Sequence, residues 1–352
     1  MSTTATNRCF WQDNARVPAA IREGTIPTKV GDGEILIKVQ AWAVNPVDAY
    51  IQVNALPFFK YPMIPGSDIA GVVSLVGSGI ASQKFKVGDR VLGLALGASA
   101  QGKTEYGGFQ HYVVVDHVMA SKIPDSLAFA EAAVFPLCIA TAANALFGSN
   151  YIGMPFPQAE GTPSVGKSVL VWGGASAVGS NAIQLAKAAG FDVVTTCSPR
   201  NFEYVMRLGA DKVFDYTSPT VIDDVVAAID SGVCAGIFQA AGPRDAVVPC
   251  CEVAARSAQT PFVACANVVP EGAAPEGVTA KFVFAGGEGL AIYYETSSVV
   301  FGDFLPKALE MGTYKVAPAP EVVGTRGLDG IQEALHTVLK GVSAKKVVVE
   351  AE

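Results

Sequence analysis

Charge is scarce in this chain. Of 352 residues only 16% are Asp, Glu, Lys or Arg, and 25 basic against 32 acidic side chains leave a net charge of −7. Such a chain repels nucleic-acid phosphates and anionic lipid unless its basic residues cluster, and no Lys/Arg run is present, which argues against a nucleic-acid or membrane partner. Histidine is scarcer still, three residues in all. The seven cysteines, at 9, 138, 197, 234, 250, 251 and 265, include no CxxC pair. An odd, scattered set suits neither a disulfide framework nor a structural thiolate zinc site, and points to a reducing, cytoplasmic setting. The adjacent Cys250 and Cys251 read as small apolar filler. No apolar run follows a basic flank at the N-terminus, so no secretory signal is expected. The one stretch long enough to span a bilayer, 127–147, is interrupted by Glu131, Pro136 and Asn144 and reads as a buried, Ala-rich helical region.

What is abundant is apolar: half of the residues are hydrophobic and the mean hydropathy is +0.35. A chain of this length and composition buries a sizeable core and predicts two globular domains. Up to about residue 125 short β-rich runs (34–44, 69–77, 89–96, 109–116) are broken by Gly, Pro and Asp, the pattern of a small barrel-like domain. From Ser164 the pattern becomes βα alternation. The run 168–174 is continuously apolar, as a parallel strand buried on both faces requires, and a helix follows with Val178, Ala182, Leu185, Ala186 and Ala189 on one face and Gly190 closing it. Further strands at 192–197, 212–216, 235–242, 261–266 and 281–286, separated by helical segments, predict a doubly wound dinucleotide-binding sheet. A helix and strand over 327–350 are surplus to that sheet and are expected to return to the first domain. The predicted division is 1–137 with 300–352, and 138–299.

Between the first strand of the sheet and its helix stand Gly173, Gly174, Ala175, Ser176, Ala177, Val178 and Gly179. Glycines here let the backbone turn tightly and approach a pyrophosphate held on the helix N-terminus, with Ser176 where a strict GxGxxG has its second Gly. About twenty residues on, an acidic side chain would read the ribose 2′-OH of NAD. Thr196, Cys197, Ser198, Pro199 and Arg200 stand there instead, and a hydroxyl with a guanidinium suits a 2′-phosphate, so NADPH is the expected cofactor.

These blocks, with VNPVDAYIQ (44–52), PGSDIAGVVSLVGSG (65–79), KVGDRVLG (86–93), YGGFQHYVVV (106–115), LGADKVFDY (208–216) and VSAKKVVVE (342–350), resemble the medium-chain dehydrogenase/reductase superfamily over nearly the whole chain, in its zinc-independent quinone and enoyl reductase branch. WGGASAVGS followed by CSPRNFEYV is similar to a fungal subgroup that includes stand-alone enoyl reductases of polyketide pathways. The resemblance implies an α/β protein with a GroES-like β-rich substrate domain made from both ends of the chain and a central Rossmann domain. Zinc alcohol dehydrogenases of the superfamily have a Cys near the NPVD position and a His-Glu pair where this chain has Ser67 and Asp68. The four cysteines of their structural lobe are missing between Leu92 and Phe109, and His111 and His117 have no third ligand near them in sequence. No metal is expected.

Without a Lewis acid, hydride addition to a conjugated C=C or a quinone is the stronger reading. The resemblance places Tyr50 as a donor to the developing enolate and Asn45 near nicotinamide and substrate. It also gives Thr141, Tyr216 and Lys345 or Lys346 cofactor contacts, and implies a homodimer through the sheet edge at 279–294. Trans-acting enoyl reductases carry lysine at the place of Tyr50, a departure that turns the reading toward free small-molecule substrates. A carrier-protein-bound polyketide substrate is the second reading, and an NADPH-binding protein without turnover the third. Pocket walls are expected from 53–63, 97–105 and 284–294.

Overall fold

The computed structural model describes residues 6–55, 59–97, 103–283 and 289–352. The expected pocket walls therefore lie partly outside the described residues, at 56–58, 98–102 and 284–288, as does part of the expected dimer edge. In chain order the elements begin with β1 (Asn7–Trp11), β2 (Ala20–Gly24), β3 (Glu34–Ala43), α1 (Pro46–Val53), β4 (Asp68–Val76), α2 (Ile80–Lys84), β5 (Arg90–Leu94), β6 (Tyr112–Asp116), β7 (Ala120–Lys122) and α3 (Phe129–Ala132). There follow α4 (Pro136–Phe147), β8 (Lys167–Trp172), α5 (Ala177–Ala188), β9 (Asp192–Cys197), α6 (Phe202–Arg207), β10 (Lys212–Asp215), α7 (Val221–Asp230), β11 (Val233–Gln239), α8 (Val247–Arg256), β12 (Val263–Cys265) and β13 (Ala280–Phe282). The chain ends with α9 (Gly289–Val299), a π-helical stretch Val300–Phe304, α10 (Leu305–Glu310), β14 (Ala319–Val322), α11 (Asp329–Lys340) and β15 (Lys345–Glu350).

Two compact units result, Met1–Leu137 with Ala319–Glu352, and Cys138–Pro318. In the first, a sheet runs β14-β15-β3-β4-β5-β7 with β6 also paired to β3, and β1 with β2 forms a separate ribbon. Strand β3 is long enough, ten residues, to pair antiparallel with β4, β6 and β15 along different parts of its length. The last six residues of regular structure thus sit beside the centre of a sheet begun some three hundred residues earlier.

The second unit holds a six-stranded parallel sheet ordered β10-β9-β8-β11-β12-β13, the order of a doubly wound dinucleotide-binding fold. Its apolar strands are covered on one face by α7 and α8. Leu170, Val194, Ile237 and Val263 form one cluster with Val221, Val225 and Ile229 of α7 and Val247, Cys250 and Cys251 of α8. A ten-residue helix such as α7 is marginal alone, and its three buried side chains, about 1.5–3 kcal/mol each, hold it in place.

Two expectations need correction. Residues 300–318 belong to the second unit, so its boundary falls at Pro318 and not at 299: Phe301 and Leu305 are buried, Tyr314 donates from its hydroxyl to Asn181 Oδ1 on α5 at 2.8 Å, and Gln184 Nε2 donates to the Lys315 carbonyl at 3.1 Å. The strand expected at 109–116 begins only at Tyr112, because Gln110 turns its side-chain amide back to the carbonyls of Thr104 and Gly107. The apolar stretch 127–147 is the buried helical region expected, formed as two helices broken at 133–135, with Val134, Phe135, Ile139 and Leu146 buried.

Candidate active site

In the second unit, β8 ends at Trp172 and the chain reverses through Gly173, whose φ of +90° is open to glycine at little cost. Gly173 N–H donates to the carbonyl and hydroxyl of Thr196 on β9, tying the turn to the neighbouring strand (3.2 and 3.1 Å). A Cβ on Gly174 would lie 2.2 Å from Thr195 Oγ1, and one on Gly179 would lie 2.3 Å from the Gly173 carbonyl oxygen. Both are closer than atoms pack, so the turn is shaped by the absence of side chains there. Ser176 is the N-cap of α5: its hydroxyl accepts from Gly179 N–H at 2.9 Å. At the position of the second glycine of the fingerprint, serine thus satisfies one first-turn donor itself. The first-turn amides of Ala177 and Val178 have no intrahelical acceptor by the geometry of a helix start. Donors, dipole and a backbone bare of Cβ atoms fit a dinucleotide pyrophosphate.

Beside this turn, at the end of β9, Ser198 is partly buried and Arg200 stands exposed in the 3-10 turn Pro199–Asn201. Tyr216, one residue beyond β10, is 49% exposed. The structure thus brings Gly173, Gly174, Ser176, Ala177, Val178, Gly179, Ser198 and Arg200 to the carboxyl ends of adjacent strands of one sheet. It adds a pair the sequence did not flag: the Tyr204 hydroxyl meets the Ser180 hydroxyl at 2.8 Å, fastening α6 to α5. Thr141 lies partly buried on α4, with the hydroxyl of buried Tyr293 on α9 hydrogen-bonded to it.

In the first unit the NPVD motif starts α1. Pro46 at the first helical position presets φ, Asn45 is the extended N-cap, and Asp48 three residues on accepts from the Asn45 backbone N–H through Oδ2 at 2.8 Å. The Asn45 side chain is 3% exposed, and both ends of its amide are engaged: Nδ2 donates to Asp68 Oδ2 at 2.9 Å and Oδ1 accepts from Lys346 Nζ. Lys346 Nζ also meets Asp68 Oδ2 at 2.8 Å, and Asp68 Oδ1 accepts from Leu137 N–H at 2.6 Å. Asp48 and Asp68 are fully buried and Lys346 is 4% exposed. Burial pushes the Asp48 carboxyl up to about 7; Asp68 adds to this, while the Asn45 N–H and Lys346 oppose it. Among the described residues its Oδ1 has no hydrogen-bond partner.

Asn45, expected near nicotinamide and substrate, is a buried anchor at the base of α1. Of the two adjacent lysines, Lys345 points outward and Lys346 inward, because neighbouring residues of β15 face opposite ways, and it is Lys346 that answers a charge. Tyr50, on the same helix, is 48% exposed and is no core aromatic. The sequence holds a signal for the cluster in the Asp of PGSDIAG and a Lys at an inward strand position, but only pairing of β15 with β3, and of β3 with β4, joins them. Among the described residues no three His, Cys, Asp or Glu side chains converge. Asp68, committed to an ammonium, an amide and a backbone N–H, makes a poor metal donor. His117 Nδ1 lies 2.9 Å from the Gly33 carbonyl oxygen, and His111 is held below its ordinary pKa by burial. These residues do not fit a zinc ion.

Residues 31–125 match the alcohol dehydrogenase GroES-like domain, and residues 177–294 match a family described as zinc-binding dehydrogenase. The chain is 42% identical over 337 residues to the dehydrogenase azaJ of Aspergillus niger, covering 94% of each protein. It is 37% identical over 346 residues to the trans-enoyl reductase himH of Aspergillus japonicus, covering 98% of this chain and 97% of that one. The quinone oxidoreductase of Thermus thermophilus, whose structure is also known with NADPH, superposes with a TM-score of 0.67 at 20% identity, over 97% of this chain and 99% of that one.

Proposed function

We propose, from the premise that the chain belongs to the medium-chain dehydrogenase/reductase superfamily and is an oxidoreductase of that type, that it reduces a conjugated C=C or a quinone with NADPH and without a metal. The observation that carries this reading is the buried Asn45–Asp68–Lys346 cluster. An internal ammonium answers the carboxylate in the neighbourhood where the zinc-dependent relatives have their His-Glu pair. With no Lewis acid to hold an alkoxide, the acceptor that suits the chain is one whose charge spreads over an enolate or hydroquinone oxygen.

When bound, NADPH supplies a hydride to the β-carbon of the acceptor. The chain's own groups do the rest. Ala177 and Val178 amides at the start of α5 hold the pyrophosphate, with Gly173, Gly174 and Gly179 leaving room for it. Ser198 and Arg200 take the 2′-phosphate, a choice supported by the missing carboxylate after β9 and by the NADPH complex of the Thermus neighbour. Thr141 and Tyr216 add cofactor contacts. The Tyr50 hydroxyl, exposed on a helix anchored by the buried cluster, donates to the developing enolate oxygen. A homodimer through the β13 edge of the parallel sheet completes this reading.

A second reading, a trans-acting enoyl reductase working on a carrier-bound chain, is favoured by the himH relative. The test is NADPH oxidation with small enones, quinones and enoyl thioesters, with and without chelator. Chelator-insensitive reduction of one of these classes is expected; oxidation of simple alcohols that disappears with the chelator would overturn the reading. Activity confined to carrier-bound thioesters would select the trans-acting form. In the same assay Tyr50→Phe is expected to lower kcat by about tenfold to a thousandfold with little change in NADPH affinity. A raised substrate KM alone would make Tyr50 a binding group.

A further inference from the structure

The cluster under α1 contains two carboxyl groups, Asp48 and Asp68, and one ammonium, Lys346, all shut away from water. A buried ion needs a counter-ion or must give up its charge. Asp68 has its partner: Lys346 at 2.8 Å, with the Leu137 N–H at 2.6 Å and the Asn45 amide at 2.9 Å. Asp48 accepts through Oδ2 from the Asn45 backbone N–H, its Oδ1 has no hydrogen-bond partner among the described residues, and the Asn45 side chain opposes the effect of burial only weakly. If both carboxyls were ionised the cluster would hold a net negative charge, with the one that has no ammonium of its own in the first turn of the helix that displays Tyr50.

We propose that Lys346 and Asp48 are positioning residues for the reduction: Lys346 fixes the Asn45 amide in one orientation, and Asp48 holds a proton while it does so, leaving one ammonium opposite one carboxylate. The inference rests on the reductase reading for its kinetic consequence but not for the proton itself. The groups that bear on Asp48 are few. From β4 comes Asp68 and from β15 Lys346; α11, which meets α1 through the Gln52–Gln332 pair, carries His336 on the outer side of Gln332. The direction in which burial moves the Asp48 carboxyl agrees with a proton retained near neutrality. Loss of that proton leaves the cap to the Asn45 N–H intact but sets a second buried negative charge against Asp68; Lys346 is then drawn between two carboxylates, loosening its hold on the Asn45 amide and with it the helix that presents Tyr50.

The experiment has two arms. In the first, infrared difference spectra between about pH 6 and about pH 9 are expected to show the carbonyl band of a protonated carboxylic acid at the lower pH, absent in Asp48→Asn. This arm needs neither substrate nor turnover, so it stands if no acceptor oxidises NADPH. In the second, kcat for a small enone is followed over the same range. The wild type is expected to lose about tenfold or more as pH rises, and Asp48→Asn, whose amide cannot ionise, less than about twofold. Lys346→Met is expected to lower kcat by about tenfold to a hundredfold at constant KM for NADPH, with Lys346→Arg recovering most of it. Should Lys346→Met fail to fold, the arginine variant and the Asp48 profiles decide. No acid band at low pH, a band that survives in Asp48→Asn, or the same alkaline limb in both proteins would overturn the proposal.

Discussion

Replacing Gly174 by alanine tests whether the turn after β8 is shaped by sterics alone. The added Cβ would lie 2.2 Å from Thr195 Oγ1, 3.2 Å from Thr195 Cβ and 2.9 Å from Ile183 Cδ1. Thr195 cannot swing aside cheaply, being fully buried with its hydroxyl donating to the Val171 carbonyl at 2.6 Å. Overpacking of this kind costs about 1–3 kcal/mol. Thr195→Ala removes the obstructing oxygen and its hydrogen bond, a loss of about 1 kcal/mol plus the methyl group. Because the second change opens the space the first one needs, the double variant is expected to be little worse than Thr195→Ala, a coupling of about 1–3 kcal/mol. Gly179→Ala is the control: its Cβ would meet the Gly173 carbonyl oxygen at 2.3 Å and Gly174 Cα at 2.7 Å, backbone atoms that no side-chain truncation removes, so Thr195→Ala should not rescue it. Urea unfolding followed by circular dichroism gives the stabilities, and NADPH titration monitored by the fluorescence of Trp172, at the head of the turn, gives the binding. Additivity of Gly174→Ala and Thr195→Ala within about 0.5 kcal/mol would refute the steric account.

Three further outcomes follow from named groups. Arg200→Ala is expected to weaken NADPH by roughly tenfold to a hundredfold, the value of one charge-assisted phosphate contact, and to leave NADH unchanged; equal loss of both in a titration would remove Arg200 from the 2′-phosphate site. Elemental analysis of the purified chain is expected to find no stoichiometric zinc, and a tightly bound ion lost together with turnover would contradict the donor chemistry described above. Asp48, with a folded pKa of about 7 against an ordinary aspartate value of 3.8, binds its proton more tightly in the folded state. Stability should therefore fall as pH rises from about 4 to about 7 and level off above, by an amount on the order of 4 kcal/mol, with the slope removed in Asp48→Asn. Urea midpoints across that range measure it, and parallel curves for the two proteins would deny Asp48 the raised pKa.

The parallel sheet was legible because each of its strands is an apolar run between helical periodicities, and DVVTTC at 192–197 could be bounded to the residue. The ribbon of β1 and β2 was not: NRCFW and AIREG carry no clean alternation, and their order comes from pairing with each other and from the bridge between Cys9 and Gln110. Likewise the glycine turn and the Ser198–Arg200 pair are contiguous in sequence with the elements that shape them, so local pattern suffices. Lys346 is different. Its value depends on Asp68, 278 positions away, and on a β-strand register that flips a side chain from solvent to interior with a shift of one residue. Nothing in the local pattern tells it from the adjacent Lys345.

The placement of β15 beside β3 also governs how the protein is made. Residues 138–318 are contiguous and can assemble as they leave the ribosome, whereas the sheet that precedes them must wait. Until residues 345–350 have been synthesised, β3 lacks a neighbour along the Ala41–Ala43 end, and Asp68 lacks the ammonium that neutralises it. The nascent N-terminal segment is therefore obliged to keep Asp68 hydrated and one strand edge unpaired throughout translation of the other unit, the interval in which a long-range sheet is most open to wrong partners.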